Sequence, residues 1–287
     1  MDCLKNRELM ILQQRDAIVR LLQDNDPDTV RLVKEQLIQA GDDAVADLRD
    51  LSLCTEKSVA SHVREVLSII EGREAEDAFG LLCHFFGDHS CLERANWMLA
   101  QALMPGIDMS PLELRVNSWG RQFLLQSSSA VSSRERVLLL SKFMAEELNF
   151  RGNTDDYYNE RNCLLPYVIE TRMGIPITLT LLYMMVASRA GMCVAGVNLP
   201  GHFIARHGEL FFDPFHRGRI LSKSDCEAIL EKQSLSLQPC HLADAGPRQV
   251  LIRTLANLLY VYDLRQEHEK HARVNRWIKA LTADCCA

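Results

Sequence analysis

The sequence lacks a long apolar run, an excess of basic residues and any CxxC pair of cysteines. Its most apolar stretch, residues 177–187, is shorter than the roughly 20 residues that a helix needs to cross a bilayer. The first fifteen residues have no apolar core of the kind found in secretory signal peptides. With a formal net charge of −6, the chain has no electrostatic footprint of a nucleic-acid-binding protein. We therefore expect a protein that binds neither nucleic acid nor membranes.

Cysteine is present, but not in a pattern typical of a metal site or a disulfide framework. Ten cysteines without a secretory signal indicate a reducing compartment, so we expect free thiols and a cytoplasmic location. The segment from Cys83 to Cys91 holds two thiols and two imidazoles, yet structural zinc sites need two well-spaced ligand pairs. His202, His207 and His216 are further potential ligands, but the hairpin-turn position of His207 argues against their convergence. No metal and no other cofactor is predicted.

The first hundred residues have the apolar spacing of helices. Val30, Val33 and Leu37 recur at intervals of three and four, which is the helical period. A similar pattern returns in residues 57–67, which favours the paired helices of a HEAT-like stack. An irregular helical bundle explains the pattern equally well. We predict a helical region over residues 1–105 and leave both arrangements open.

Residues 150–221 differ in character, because glycines, prolines and strand-like segments are concentrated there. Asn162 is expected to cap a helix that reaches about residue 172, and Gly174 is expected to close it. Pro176 then opens a helix to residue 190 that is apolar nearly all round and therefore buried. Strands are predicted at residues 193–199, 202–206 and 210–212, the last two joined by a tight hairpin. Helices are predicted to follow near residues 223–232, 248–265 and 267–282.

Four segments of the chain resemble one known family. They read FRGNTDDYYNERN (150–162), RMGIPITLTLLYMMVASRAGM (172–192), GVNLPGHFIAR (196–206) and FFDPFHRGRIL (211–221). In this order and spacing they resemble the SirB-one family of the transglutaminase-like superfamily, over roughly residues 110–260. The resemblance implies an α+β, mostly helical fold whose papain-type core combines a buried helix with antiparallel strands. The expected domains are a helical region (1–105), the transglutaminase-like core (106–240) and a C-terminal helical pair (241–287).

The resemblance also implies where a catalytic triad would lie. Acyl transfer by this fold uses a thiolate at the N-terminus of the buried helix, a His that shares its proton and an Asp that orients the His. His202 and Asp213 stand at the positions of that His and Asp. The nucleophile position falls at or beside Pro176, and no cysteine occurs between Cys163 and Cys193. We therefore predict a relict His–Asp pair without its nucleophile.

Other interpretations of these residues stay open. His202 also fits a hydrogen-bonded residue at a strand start, and Asp213 before Pro214 fits a turn former whose carboxylate caps the local backbone. Cys163 is a candidate nucleophile outside the usual position, because a place at the start of a helix would depress the pKa of its thiol. The SirB-one pattern usually has serine there, which speaks against an inherited nucleophile.

The loop of residues 155–162 is dense in side chains that bind ligands. In the family this segment precedes the cleft, so Tyr158, Arg161 and Asn162 are candidate ligand-binding residues together with His202 and Asp213. The alternative is that the loop makes turns, that Arg161 pairs with an acid and that Asn162 caps a helix.

The function expected from these observations is non-catalytic. We expect a transglutaminase-like module that binds a protein or peptide in the former substrate cleft beside His202 and Asp213, with a regulatory role. The alternative is a cysteine-dependent hydrolase or acyltransferase that uses Cys163 as an atypical nucleophile. The sequence leaves the identity of the partner and the oligomeric state open.

Overall fold

The structure, a computed structural model, describes residues 15–53 and 56–283. The start of the predicted helical region, residues 1–14, therefore lies outside the described residues. The chain divides into two units. The first contains the residues up to Asp77 and the segment Gln101–Ile107, and the second contains Ala78–Ala100 and the residues from Asp108 onward. The domain boundaries predicted after residues 105 and 240 stay predictions.

The first unit is built from helices around an aliphatic core. Residues 15–22 are helical (α1), and α2 (Pro27–Ala40), α3 (Asp42–Ser52) and the first part of α4 (Lys57–Phe85) follow. Asp26 caps α2, because its carboxylate accepts hydrogen bonds from the backbone N–H groups of Asp28 and Thr29. The side chains that fill the core are Leu22, Leu48, Leu51, Val59, Val63, Val66 and Ile70. That these helices form true HEAT repeats stays a prediction.

Three successive helices, the first of which ends in the segment assigned to the first unit, precede the central buried helix of the second unit. They are α5 (Leu92–Leu103), α6 (Ser110–Ser127) and α7 (Ser133–Lys142), and α7 continues into a π-helical turn, Phe143–Glu147. Arg189, the last residue of the central helix, forms an ion pair with Glu93 of α5 at 2.7 Å and donates a hydrogen bond to Asn117 of α6. These contacts hold the C-terminal end of the central helix.

The central helix, α9 (Pro176–Arg189), begins at the predicted residue and is buried along most of its length. It follows α8 (Leu165–Thr171) and a parallel pair of two-residue strands, β1 (Arg151–Gly152) and β2 (Met173–Gly174). The predicted helix from Asn162 to about residue 172 is instead split into a 3₁₀ turn, Glu160–Cys163, and α8. Leu164, which has extended backbone angles, separates the two.

The prediction that Gly174 closes the preceding helix was wrong. Arg172 ends α8, with a φ of 62° in the left-handed region, and its N–H donates to the carbonyl of Val168. Gly174 has no positive φ and lies in β2, where it pairs with Gly152. Its lack of a side chain is required by packing, because a Cβ atom would lie 2.9 Å from the side chain of Val168.

A four-stranded antiparallel sheet follows α9. Its order is β3 (Ala195–Val197), β4 (Ile204–His207), β5 (Leu210–Asp213) and β6 (Arg219–Leu221). The strand predicted over residues 193–199 is shorter, because only its middle three residues have partners on β4. One side of the sheet carries an aliphatic cluster with Cys226 and Leu230 of the next helix.

The chain ends in helices, as predicted. They are α10 (Lys223–Glu231), with a Ser222–Asp225 capping box, then α11 (Pro247–Leu264) and α12 (His268–Thr282). The α+β, mostly helical fold class is therefore confirmed. None of the described helices combines the length and the apolar character needed to span a membrane.

Candidate functional site

His202 and Asp213 lie side by side at one end of the β4–β5 hairpin. His202 stands two residues before β4, after a turn in which Gly201 has a φ of 80°. Asp213 is the last residue of β5, and the hairpin pairs Ala205 with Phe212. As a result, the Nε2 atom of His202 lies 2.7 Å from Oδ2 of Asp213. The structure brings the two predicted residues together, while the role of the pair stays a prediction.

A second histidine, His216, joins this pair. Its Nδ1 atom lies 2.7 Å from the same Oδ2 atom of Asp213. The other carboxylate oxygen, Oδ1, accepts hydrogen bonds from the backbone N–H groups of Phe215 (3.0 Å) and His216 (3.3 Å). Asp213 therefore does both things that the sequence allowed, since it caps the turn with one oxygen and contacts histidine with the other.

Sequence reasoning had set His216 aside together with His207. The signal that could have found His216 was the segment Asp-Pro-Phe-His. An aspartate often caps the turn that follows it, and the turn then brings the residue three positions later close to the aspartate carboxylate. His207 does lie apart, as its hairpin position indicated. Its Nδ1 atom is 2.6 Å from the carbonyl oxygen of Cys193.

The charge state of Asp213 is set by two opposing influences. Burial is the larger single influence and raises the pKa of the carboxyl group. The hydrogen bonds and charges of His202 and His216 together outweigh burial, so the pKa of Asp213 lies below its ordinary value. A buried carboxylate held between two imidazoles is consequently ionised at neutral pH.

A cleft of about 430 Å³ opens beside these three residues. One wall is formed by the His–Asp–His group and the other by Ala228 and Ile229 of α10 and by Lys232, the residue that follows the helix. Arg219 of β6 also lines the cleft and forms an ion pair with Asp225 at 2.6 Å. The cleft is thus partly apolar and carries charges of both signs.

The N-terminal tip of α9 holds no thiol. Ile175 is its N-cap residue and Pro176 its first residue, and neither side chain can attack a carbonyl group. Thr178 is buried, and its hydroxyl donates a 2.8 Å hydrogen bond to the carbonyl of Asn162. The first hydroxyl along α9 is therefore already engaged in a structural contact.

Cys163 has the opposite character to the one predicted for it. It is the last residue of the 3₁₀ turn rather than the first of a helix, and only 3% of its surface is exposed. Burial, with a smaller contribution from the charge of Glu160, raises the pKa of its thiol to about 12. The predicted depression of this pKa was wrong, because removal from water outweighs any helix dipole at a fully enclosed thiol.

Asn162 is enclosed within its loop. Its amide donates to the carbonyl oxygens of Asp156 (2.7 Å) and Tyr157 (3.1 Å) and accepts from the amide of Asn153 (3.0 Å). It does not cap α8, whose N-cap residue is Leu164 without a side-chain hydrogen bond. Asn162 therefore holds the loop in shape from within.

Tyr158 and Arg161 lie at the surface of the same loop. Tyr158 is half exposed, and its carbonyl oxygen accepts a hydrogen bond from Arg265, the C-cap residue of α11. Glu160 forms an ion pair with Arg265 rather than with the adjacent Arg161, which is exposed. Of the three loop candidates, Tyr158 and Arg161 thus face solvent and Asn162 does not.

An aromatic row, which sequence reasoning missed, leads from this loop to the histidines. The row consists of Tyr260, Tyr158, Tyr157 and Phe215, with successive ring centroids 5.6, 5.2 and 6.0 Å apart. Phe215 in turn lies 6.1 Å from the ring of His202. Tyr260 and Tyr158 are half exposed. The row gives the site an apolar surface that reaches beyond the cleft.

The sequence of this region is similar to a known family. Residues 113–256, half of the chain, match the family model described as transglutaminase-like superfamily. The matched segment contains α9, the sheet, and all of His202, Asp213 and His216. No solved structure matches the chain.

Relatives occur in bacteria and in mammals. A UPF0162 protein of Xylella fastidiosa (strain 9a5c) is 30% identical over 187 residues, which cover 64% of this chain and 66% of that protein. A UPF0162 protein of Pseudomonas aeruginosa is 30% identical over 180 residues, which cover 61% of this chain and 66% of that protein. F-box only protein 21 of Homo sapiens is 30% identical over 126 residues, which cover 40% of this chain and 20% of that protein. The chain thus spans 66% of the length of these bacterial relatives and a smaller part of the mammalian one.

Proposed function

The chain belongs to the transglutaminase-like superfamily, and from this premise we propose that its core is a non-catalytic module that binds a protein or peptide and acts in regulation. Within the superfamily, we propose that the chain is a member of the SirB-one family, which the four sequence segments quoted above resemble. The proposal includes a cytoplasmic location. It also includes that the chain binds neither nucleic acid nor membranes.

The observation that carries the proposal is the tip of α9. Catalysis by this fold needs a thiolate there, with a lowered pKa and a histidine within hydrogen-bond reach. The first turn instead reads Pro176-Ile177-Thr178, and the hydroxyl of Thr178 is engaged by Asn162. The His202–Asp213 pair therefore has no nucleophile to activate at this position.

The surface around the pair supports binding. The aromatic row ends in two tyrosines that are each about half exposed, Tyr158 at 52% and Tyr260 at 51%. Tyrosine offers a large apolar ring with a polar tip, and it is enriched where proteins recognise each other. A peptide that lies along the row and enters the cleft would contact apolar rings first and the ionised Asp213 group at its end.

The relatives support a role within larger proteins. The matching segment covers 20% of F-box only protein 21, so a related core occurs there as one part of a much longer chain. A core that is joined to other segments in this way fits a module that brings a partner to them.

The alternative enzyme would use Cys163 as its nucleophile. Its thiol is enclosed, and a pKa of about 12 keeps it protonated at neutral pH. A thiol in that state is neither a nucleophile nor accessible to an acyl donor. We therefore do not favour a cysteine-dependent hydrolase or acyltransferase.

The test of the proposed function is selection of displayed peptides on the intact chain. We expect selected peptides to bind the wild-type chain and to lose about tenfold in affinity or more in Tyr158→Ala, as is usual for an aromatic anchor. Leu125→Ala, which removes another exposed apolar side chain from α6, is the matched control and should bind as wild type.

Two outcomes would contradict the proposal. In one, the selection yields no peptide, or yields peptides that bind Tyr158→Ala and Leu125→Ala equally well. In the other, mass spectrometry finds that the chain cleaves or acylates the selected peptides and that His202→Ala abolishes the reaction. The second outcome would make the chain an enzyme.

A further inference from the structure

The group formed by His202, Asp213 and His216 has the composition and convergence of a metal site. The ligand atoms of the three side chains, two ring nitrogens and one carboxylate oxygen, all lie within 4.8 Å of one another. Both nitrogens lie 2.7 Å from the same oxygen, Oδ2 of Asp213. Among the described residues, this is the group of histidine, cysteine and acidic side chains whose ligand atoms converge. We propose that these three residues bind one divalent transition-metal ion, with Zn²⁺ as the best match.

The donor set selects the class of ion. Two imidazoles and one carboxylate suit zinc and its neighbours among the divalent transition metals, whereas Mg²⁺ and Ca²⁺ prefer sites made of oxygen atoms. Three protein ligands leave one position of a tetrahedral zinc site open. The three residues line the cleft of about 430 Å³, which has room for a water molecule or a group of a bound partner as the fourth ligand.

The spacing of the ligand atoms is close to that of a zinc site. Bonds of about 2.0–2.1 Å in tetrahedral geometry hold neighbouring ligand atoms about 3.3 Å apart. This value lies between the 2.7 Å of the two nitrogen–oxygen contacts and the 4.8 Å limit of the group. Small rotations of the rings suffice, and the side chain of His216 is 63% exposed and free to make them.

The surroundings of Asp213 support the same function. Its Oδ1 atom accepts the N–H groups of Phe215 and His216, so the carboxylate is fixed with Oδ2 directed at the two imidazoles. Hydrogen bonds of this kind orient metal ligands in known sites. The exposed ring of His216 lies at the entrance and provides a path for the ion. In these contacts, each ring N–H donates a hydrogen bond to Oδ2. A metal ion would take the place of these two hydrogen atoms, and each neutral imidazole would carry its proton on the other ring nitrogen.

The inference goes beyond the proposed function and does not rest on it. Metal binding needs only these three side chains, whereas peptide binding is tested at Tyr158. A chain that binds metal and no peptide would contradict the proposed function alone, and a chain that binds peptide and no metal would contradict this inference alone.

The first test is a titration of the intact, chelator-treated chain with Zn²⁺ against a fluorescent competing chelator. We expect one ion per chain and an affinity that falls by at least about tenfold in His216→Ala. His216 is the preferred position because its ring is exposed, so the variant should keep its fold, which circular dichroism checks. His207→Ala is the matched control, since His207 lies at the other end of β4 and should not affect the affinity.

The second test separates this site from the ten cysteines, which are alternative zinc ligands. Co²⁺ is used as the probe, because thiolate ligands add an intense charge-transfer band to its absorption spectrum and nitrogen or oxygen ligands do not. We expect bound Co²⁺ to give a spectrum without the thiolate band. We expect this spectrum of bound Co²⁺ to be lost in His216→Ala. A thiolate band, binding that is equal in His216→Ala and the wild type, or no stoichiometric binding would overturn the proposal and leave an adventitious ion only.

Discussion

Asp213 shows how one residue can satisfy two interpretations of the same sequence. Its Oδ1 atom caps the turn before His216, and its Oδ2 atom contacts both imidazoles. A role in the turn and a role in the site look like alternatives in the sequence. A carboxylate has two oxygens, however, so one oxygen can cap the turn while the other contacts the histidines. The turn is in fact what brings His216 to the site.

Two buried threonines of α9 give a matched pair for measuring one hydrogen bond. Thr178 donates to the carbonyl of Asn162, whereas the hydroxyl of Thr180 has no hydrogen-bond partner among the described residues. Thr178→Val should therefore reduce the free energy of unfolding by about 1–3 kcal/mol, because a buried carbonyl loses its donor. Thr180→Val should be neutral or stabilising, since it replaces an unpaired hydroxyl by a methyl group of similar size.

Urea denaturation of both variants measures these two effects. Valine and threonine are both β-branched, so differences in helix propensity largely cancel. Equal losses of stability in the two variants would contradict the prediction that the hydrogen bond between Thr178 and Asn162 stabilises the fold.

Gly174 should be sensitive to substitution for a reason that the sequence did not reveal. Its backbone is ordinary, but an added Cβ atom would lie 2.9 Å and 3.1 Å from the two methyl groups of Val168. We expect Gly174→Ala to lower the free energy of unfolding by about 1–3 kcal/mol through overpacking. Gly87→Ala is the control, because no atom lies within 4 Å of the position that its Cβ would take. A melting temperature of Gly174→Ala equal to that of Gly87→Ala would contradict the packing argument.

At the scale of the helices, α6 and α9 approach each other closely at Gly120. A Cβ atom there would lie 2.3 Å from Cβ of Arg189, and Arg189 is held in place by Glu93 and Asn117. Alanine normally stabilises the middle of a helix by up to about 1 kcal/mol relative to glycine. In Gly120→Ala the clash should outweigh this gain, so the free energy of unfolding should fall by about 1–3 kcal/mol.

Gly80, in the C-terminal part of α4, is the control for Gly120→Ala. A Cβ atom at Gly80 would lie 3.6 Å from the indole nitrogen of Trp277, which is an ordinary contact. Gly80→Ala should therefore raise the free energy of unfolding by about 0.5–1 kcal/mol. Thermal denaturation compares the two variants, and stabilisation in both would mean that α6 and α9 can move apart at no cost.

The sequence predicted the elements that carry strong local signals. Pro176 and the apolar run after it predicted the start of α9, and the tight turn at His207-Gly208 predicted the β4–β5 hairpin. The fold class was implied by the resemblance of four segments to a known family, with the helical periodicity elsewhere in agreement. Such signals depend on residues a few positions apart, which a sequence displays directly.

Features that depend on distant contacts were not predictable in the same way. The parallel pair of β1 and β2 joins segments 22 residues apart, as in Arg151 opposite Met173, and each strand has only two residues. The aromatic row brings Tyr260 of α11 against Tyr158, which no local pattern indicates. The burial of Cys163 is likewise a property of the whole unit, so its pKa was predicted in the wrong direction.

At the scale of the whole molecule, the chemistry is concentrated in the second unit. The histidines, Asp213, the loop of Tyr158 and the aromatic row all lie in the part of the chain that begins at Asp108. This is also where the superfamily match falls. There, His202 lies just before β4 and Asp213 ends β5, while the first residue of α9 is Pro176.

The reactivity of the cysteines tests most directly the proposal that this core has no catalytic nucleophile. The measurement is the rate at which iodoacetamide modifies each thiol of the native intact chain at neutral pH, followed by mass spectrometry in the wild type and in His202→Ala. Burial raises the pKa of Cys163 and of Cys83 to about 12, so both should stay protonated and react slowest. The exposed Cys91, Cys193 and Cys240 should react at rates ordinary for free thiols, and His202→Ala should leave all rates unchanged. One thiol that reacts orders of magnitude faster than the others, and that slows in His202→Ala, would contradict the assignment of this core as non-catalytic.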